Sequence, residues 1–394
     1  MRIQNLIDSF KLHFESSDMR VFFAPGRINL IGEHIDYNGG HVFPCALSLG
    51  TYCLARKRDD RKFRMYSENF PEKGIIEFDL DTLDYEKDHD WANYPKGMIR
   101  FIKEAGYTID SGVDVLFFGN IPNGAGLSSS ASIELVTGIM LDHLFNLKIN
   151  RDELAKIGQK VENEFIGVNS GIMDQFAIAL GKKDYGLLLD CDTLHYDYIP
   201  LHLNKYRIII MNTNKRRELA DSKYNERRSE CEKALRILRK HIDIKHLCDL
   251  SKEQLDQLKQ HLTDETIYKR AKHVVLENER TLAAAKALKQ GDLTRFGQYL
   301  NESHISLRDD YEVTGKELDT LVSAAWEQEG VLGARMTGAG FGGCSIAIVE
   351  EDQVDSFIKN VSAIYKEKIG YDASFYNVTL GDGVKEIEEF STVK

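Results

Sequence analysis

The sequence predicts a mixed α/β chain in two domains, and three observations carry that prediction. At 394 residues with 42% hydrophobic content, the chain is too long for one comfortable core. Residues 112–144 read as a strand, a glycine- and serine-rich loop and a helix in direct succession. Beyond about Pro200 the texture changes to long, heavily charged helices, which places a boundary near that residue, between a domain of 1–200 and one of 201–394.

The first of these elements is bracketed by Gly112 and Gly119, with Val113, Val115 and Phe117 alternating with Asp114, Leu116 and Phe118. After the loop, Ile133, Val136, Met140 and Leu144 recur at helical spacing, with Glu134, Thr137 and His143 on another face. The serines ahead of them suit an N-cap. Between lies Ile121-Pro122-Asn123-Gly124-Ala125-Gly126-Leu127-Ser128-Ser129-Ser130-Ala131-Ser132. A strand, a glycine loop and a helix N-terminus make an anion site, because unpaired N–H groups point at the ligand and the helix dipole favours negative charge. The serine hydroxyls add donors to phosphate or a ligand for Mg2+. The loop lacks the Walker lysine and the third Rossmann glycine. An ordinary strand-to-helix turn is made of the same residues, and the loop alone leaves both readings open.

In chain order, Leu6 to Phe14 predicts an amphipathic helix and Val21 to Ala24 a short buried strand. Pro25 to Gly40 then packs Arg27, Glu33, His34 and Asp36 among turn formers, either as solvated surface or as a polar pocket for a polyhydroxylated ligand. The zinc pattern H-E-x-x-H is absent. Val42 to Ala55 reads as strand, Arg56 to Lys62 as a charged turn, and Gly97 to Glu104 as a helix preceded by Trp91 and Tyr94, which suit core packing or stacking on a base. A helix from Asp152 to Phe165 bears Glu162 and Glu164, and Asp174 follows in an apolar setting, as a cap or as a functional carboxylate. Arg207 to Met211 predicts a strand, and Arg216 to Lys240 a long helix containing Tyr224. Gly338 to Gly343 matches G-x-G-x-x-G, but Cys344 to Val349 after it reads as a strand, so a glycine-rich hairpin replaces the dinucleotide fingerprint.

The net charge of -11 argues against a nucleic-acid binder but allows an anionic substrate, since clefts can be locally basic. Cys45, Cys53, Cys191, Cys231, Cys248 and Cys344 are scattered, without zinc spacing, and suit reduced thiols. No run of about 18 apolar residues occurs, so the chain is expected in the cytoplasm, neither secreted nor in a membrane.

Four motifs in order, Gly26 to Tyr37, Pro122 to Ala131, Gly171-Ile172-Met173-Asp174-Gln175 and Gly338 to Gly343, resemble the motif set of the GHMP kinases, and the first resembles the galactokinase signature. The resemblance implies two α/β (α+β) domains with the active site between them, the N-terminal one ribosomal-protein-like. It implies transfer of the γ-phosphate of MgATP to the C1 hydroxyl of D-galactose, with galactose and ATP as small-molecule partners and a monomer as the working form. By the same resemblance Glu33, His34, Ile35, Asp36, Gly171 and Tyr224 hold the sugar, and Gly124, Ala125, Gly126, Leu127, Ser128, Ser129 and Ser130 hold the phosphates. Ser67 and Trp91 line the base, Ser130 and Glu162 ligate Mg2+, and Arg27 and Asp174 form the catalytic pair.

Ile35 departs from the threonine common in galactokinases and is shared with related N-acetylgalactosamine kinases, whereas Asn38-Gly39-Gly40 sides with galactose. Ser170 replaces a common cysteine, a small swap. The alternatives are another sugar kinase of the family and a non-catalytic galactose sensor. The dipeptide Ser130-Ala131, which such sensors lack, favours an enzyme.

Overall fold

The computed structural model describes residues 3–122, 125–215 and 220–388. The first half opens with α1 (Ile3–Phe14) and the strands β1 (Arg20–Asn29), β2 (His41–Val42), β3 (Pro44–Lys57), β4 (Lys62–Ser67) and β5 (Ile76–Asp79). It continues through α2 (Asn93–Glu104), β6 (Val113–Gly119), α3 (Ser129–Phe145), α4 (Arg151–Lys160), α5 (Met173–Leu180), β7 (Tyr185–Asp190) and β8 (Tyr196–Pro200). The second half holds β9 (Tyr206–Asn212), α6 (Ala220–Leu238), α7 (Lys252–Leu258), α8 (Glu265–Lys289), α9 (Leu293–Ser306) and α10 (Gly315–Trp326). It ends with β10 (Val331–Thr337), β11 (Cys344–Glu350), α11 (Val354–Ile369), β12 (Ser374–Val378) and β13 (Lys385–Glu386).

The first sheet runs β13-β1-β3-β6-β4-β5, with β4 and β6 parallel and the other pairs antiparallel. Its two faces follow the period of the strand. Phe22, Cys53, Val115 and Phe117 join the core built by the helices, whereas Val21, Leu54 and Leu116 pack against Leu6, Phe10 and Phe14 of α1. Asp114 shares the α1 face and is fully buried, held by Arg56, Arg58 and Arg64 at 2.9, 2.8 and 2.7 Å. The charged run at 56–62 therefore turns partly inward, because a buried carboxylate needs paired cations.

The second sheet, β10-β11-β9-β12, is antiparallel throughout. Ile209 and Met211 face α10 and α11, while Ile208 and Ile210 share a core with Ile28, Leu30 and Phe43 of the first half. The halves are thus joined by common apolar packing, and β13 returns the end of the described chain to β1. A smaller sheet, β2-β7-β8, completes the fold.

Several expectations are corrected. The first strand does not stop at Ala24: it continues through Arg27 to Asn29, with an irregularity between Pro25 and Arg27, where proline has no N–H for the ladder. The helix expected from Gly97 starts at Asn93, which brings Pro95 into its first turn. The helix after the serine loop has no polar face over its first turns, since Glu134 and Thr137 are as buried as Leu135 and Val136. Residues 216–219, the expected start of α6, lie outside the described residues.

Candidate active site

The cleft forms where the end of β1, the serine loop, the N-terminus of α5 and the β10–β11 turn converge. Arg27 is brought in by the strand continuation, and Gly26 beside it is constrained by packing: a Cβ there would meet the Leu127 carbonyl at 2.9 Å. The Arg27 N–H donates to that same carbonyl at 3.1 Å, which stitches the loop to β1. Its guanidinium grips Asp174 with both arms, Nε to Oδ1 at 2.8 Å and Nη2 to Oδ2 at 3.0 Å, while Nη1 donates to the Gly126 carbonyl at 2.9 Å. Asp174 sits in the first turn of α5 and caps nothing; its carboxylate also accepts from Ser128 Oγ. The serine N-cap expectation holds in position but not in side-chain bonding. Ser128 holds the N-cap position of α3 in a left-handed backbone, but its hydroxyl turns to Asp174.

Ser130 Oγ donates to Glu162 Oε1 at 2.7 Å across to a π-helical turn, Val161–Ile166, that follows α4. Burial pushes the Glu162 carboxyl up to about 7, against the Ser130 hydrogen bond, with the charge of Asp174 adding to the rise. The sugar-loop candidates lie on the other side of Asp174. Glu33 is buried and accepts from Asn29 Nδ2 at 2.9 Å and from the Gly338 N–H at 2.7 Å, with Arg335 at 3.3 Å. Burial raises its pKa, and Arg335 and Arg27 oppose the rise. Asp36 opens a single 3-10 turn, Asp36–Asn38, and enclosure at the cleft floor pushes it up to about 6, with Asp174 adding repulsion and the N–H groups of Tyr37 and Met173 holding it down.

A cavity of about 280 Å³ joins these groups. Arg27, Glu33, His34, Asp36, Gly126, Ser128, Ser129, Ser130, Glu162, Gly171, Asp174 and Tyr224 all line it. Beside it, a more apolar cavity of about 220 Å³ is walled by Ser67, Phe70, Trp91, Phe117 and Ile133, and Tyr94, Ser129 and Ser130 line both. Trp91 thus faces the second cavity as well as the core, and Tyr94 faces both cavities. Ala125 and Leu127 are buried beneath the loop and line neither cavity. Ile35 turns its side chain into the core against Gly40, away from the cleft lining. Gly124 lies outside the described residues. The β10–β11 turn confirms the glycine-rich hairpin: Gly338 lies over the serine loop so closely that a Cβ would stand 3.0 Å from the Gly126 carbonyl.

Sequence reasoning missed Arg335, which is fully buried and donates to the carbonyls of Asn29 and Leu30 at 3.1 and 3.3 Å. Its signal was available, as a lone arginine inside the apolar strand Val331–Thr337 must be paired when buried. Asn69 and Phe70, in the second cavity, carried no such signal.

The donor chemistry suits a magnesium ion. Among the described residues no group of three or more His, Cys, Asp or Glu side chains forms a metal cage. One carboxylate and one hydroxyl beside a phosphate-binding loop is the sparse oxygen set that Mg2+ accepts, the remainder coming from substrate phosphates and water.

Carboxylates on one side of a cleft, a helix-terminal anion site on the other and an arginine-held aspartate between them define a small-molecule kinase. Comparison with known proteins agrees. The GHMP kinases N terminal domain model matches residues 93–182, the GHMP kinases C terminal model 284–367, and the galactokinase galactose-binding signature 8–57. A galactokinase from Exiguobacterium sibiricum is 62% identical over 99% of both chains, and one from Enterococcus faecalis is 59% identical over 97% of this chain and 99% of the relative. The crystal structure of Lactococcus lactis galactokinase complexed with galactose superposes with a TM-score of 0.96 at 53% identity, covering 98% of this chain and 100% of that one. A mevalonate kinase at 20% identity and TM-score 0.65 shares the fold alone. The chain belongs to the galactokinases, within the GHMP kinases, and is an ATP-dependent phosphotransferase.

Proposed function

We propose that the protein transfers the γ-phosphate of MgATP to the C1 hydroxyl of D-galactose, giving galactose 1-phosphate and ADP. The observation that carries this reading is the Arg27–Asp174 pair, set between the phosphate loop and the acceptors Glu33 and Asp36.

In this reading Glu33, His34, Ile35, Asp36, Gly171 and Tyr224 make the sugar site, with the two carboxylates accepting from sugar hydroxyls and Ile35 contributing through its backbone. The N–H groups of the loop from Gly124 to Ser130 and of the first turn of α3 cradle the phosphates, and Ser67 and Trp91 face the base. Asp174 accepts the proton of the C1 hydroxyl. Arg27, engaged on Asp174 and on the Gly126 carbonyl, fixes the base relative to the loop and places positive charge beside the transferring group. Ser130 and Glu162 would hold Mg2+, which neutralises phosphate charge when bound. Positioning and charge stabilisation supply most of phosphoryl-transfer catalysis, so the carboxylates need not be strong bases. The division near residue 200 separates β8 from β9, and a cytoplasmic monomer is the working form.

Release of ADP with MgATP and galactose, against N-acetylgalactosamine, arabinose, glucose and mevalonate, tests the reading. Turnover with galactose well above all others is expected. Binding of galactose without ADP release would make the protein a sensor, and preference for N-acetylgalactosamine would move the substrate within the family.

A further inference from the structure

The loop bearing Glu33 and Asp36 is tied down by a chain of hydrogen bonds that the proposed reaction does not use. His34 stands between those carboxylates with φ 62, a left-handed backbone that a non-glycine residue holds only where its surroundings fix it. Its Nε2 lies 2.9 Å from the carbonyl of Ala339 in the glycine turn, and its Nδ1 lies 2.8 Å from Tyr37 Oη. Tyr37 Oη is 2.8 Å from Tyr311 Oη, which is 3.1 Å from Cys231 Sγ on α6.

The direction of every proton follows from one atom. A carbonyl only accepts, so His34 Nε2 carries hydrogen. Burial pushes the imidazole down to about 3, which leaves the ring neutral with a single N–H, and Nδ1 must therefore accept from Tyr37. With its proton spent, Tyr37 accepts from Tyr311, and Tyr311 in turn accepts from the Cys231 thiol. The ring of Tyr224, which lines the cleft, packs 5.3 Å from His34 and 5.5 Å from Tyr37, so the relay forms part of the cleft wall.

We propose that Cys231, Tyr311 and Tyr37 are positioning residues that hold the His34 ring through its Nδ1, and through it clamp the sugar loop onto the glycine turn. That turn also supplies the Gly338 N–H that donates to Glu33, so loosening the clamp disturbs the acceptor beside it. The effect falls on the sugar and not on the nucleotide. In that respect the inference rests on the proposed sugar site.

Tyr37→Phe and Tyr311→Phe keep the rings and remove one hydroxyl each, so folding is preserved. Each is expected to raise KM for galactose about tenfold, the scale of a lost buried hydrogen bond, while KM for ATP and kcat stay near wild type. Cys231→Ser retains a donor and should behave as wild type, whereas Cys231→Ala should show a partial effect. Nitrogen NMR of His34 in the sugar-free protein reads the tautomer directly: Nε2–H is expected in wild type and also in Tyr37→Phe, where the Ala339 carbonyl still only accepts. An Nδ1–H tautomer in wild type would overturn the relay whatever the sugar is. Equal rises in both KM values, or no rise in either Tyr variant, would overturn its role in positioning. If the tautomer behaves as expected but galactose is not phosphorylated, the relay stands and the substrate assignment falls.

Discussion

Gly171 offers the sharpest test of the sugar site, because the structure fixes what one methyl group would do there. An ideal Cβ at this position falls 1.8 Å from Asp36 Oδ2, 2.3 Å from its Cγ and 2.8 Å from Oδ1. Gly171 is not among the glycines with positive φ, so the backbone tolerates alanine and the clash is the perturbation. To regain ordinary contact, the carboxylate must retreat by roughly 1.5 Å or more, away from the N–H groups of Tyr37 and Met173 that hold it. Misplacement of about 1 Å costs on the order of 10²-fold in a positioned site, so Gly171→Ala should lower kcat/KM for galactose by at least about that factor. KM for ATP should remain near wild type, and circular dichroism should show a folded protein. A double-mutant cycle assigns the cause: added to Asp36→Ala, Gly171→Ala should cost little more, since the group it displaces is already gone. Near wild-type kcat/KM in Gly171→Ala, or the same loss in both backgrounds, would refute the placement of Asp36 on the sugar.

Three further outcomes are expected. Asp174→Ala should leave MgATP binding nearly unchanged and lower kcat by about 10²-fold or more, the scale of a lost general base; single-turnover kinetics near wild type would remove it from the mechanism. Glu162→Gln should raise the magnesium concentration for half-maximal rate, and an unshifted titration would place the ligand elsewhere. Asp36, pushed up to about 6, offers both oxygens purely as acceptors only when ionised, so kcat/KM for galactose should fall about tenfold per pH unit below that value. With sugar bound, its carboxyl titrates lower and the acid limb of kcat lies at lower pH than that of kcat/KM. A kcat/KM profile flat down to pH ~5 would contradict the assignment.

The fold was legible where periodicity and burial agree. The alternation at Val113 to Phe118 gave β6 and even its two faces, and the strand after Gly343 correctly demoted a dinucleotide fingerprint to a hairpin. It was least legible where a local rule competed with a tertiary one. Pro25-Gly26 reads as a turn, yet β3 pairs on either side of it and carries Arg27 into the cleft on a strand. Ser128 stands at the N-cap position, yet Asp174, 46 residues away, takes its hydroxyl. The roles of Glu33, Asp36 and Asp174 came from motif likeness, since isolated carboxylates in polar loops have no period to betray them. Arg335 and the Tyr37–Tyr311 contact span 302 and 274 residues to their partners, beyond any local pattern.

The net charge left room for a locally basic cleft, and the geometry does not use it. Glu33, Asp36, Glu162 and Asp174 line the cavity, and Arg27 is the cation that lines it among the described residues. A polyol and a triphosphate make opposite demands: hydroxyls need acceptors, phosphates need donors and positive charge. The division of labour follows from this conflict. In the proposed mechanism acceptors are concentrated around Asp36 and Glu33, and donors toward phosphate are the neutral N–H groups of a helix terminus, which would add no cation to compete with the carboxylates of the sugar site. Like charges that share one cleft repel, so a counter-charge or a proton lowers the cost of holding carboxylates together. Burial is the first cause of the raised values at Asp36 and Glu162, and the charge of Asp174 adds to both. Arg27 supplies counter-charge, and its bidentate grip spends it on Asp174, the carboxylate nearest the reacting hydroxyl in the proposed mechanism. What remains falls on Glu162, where a proton and a magnesium ion would compete for the same oxygen; nucleotide charge, metal and pH are therefore coupled through that one side chain.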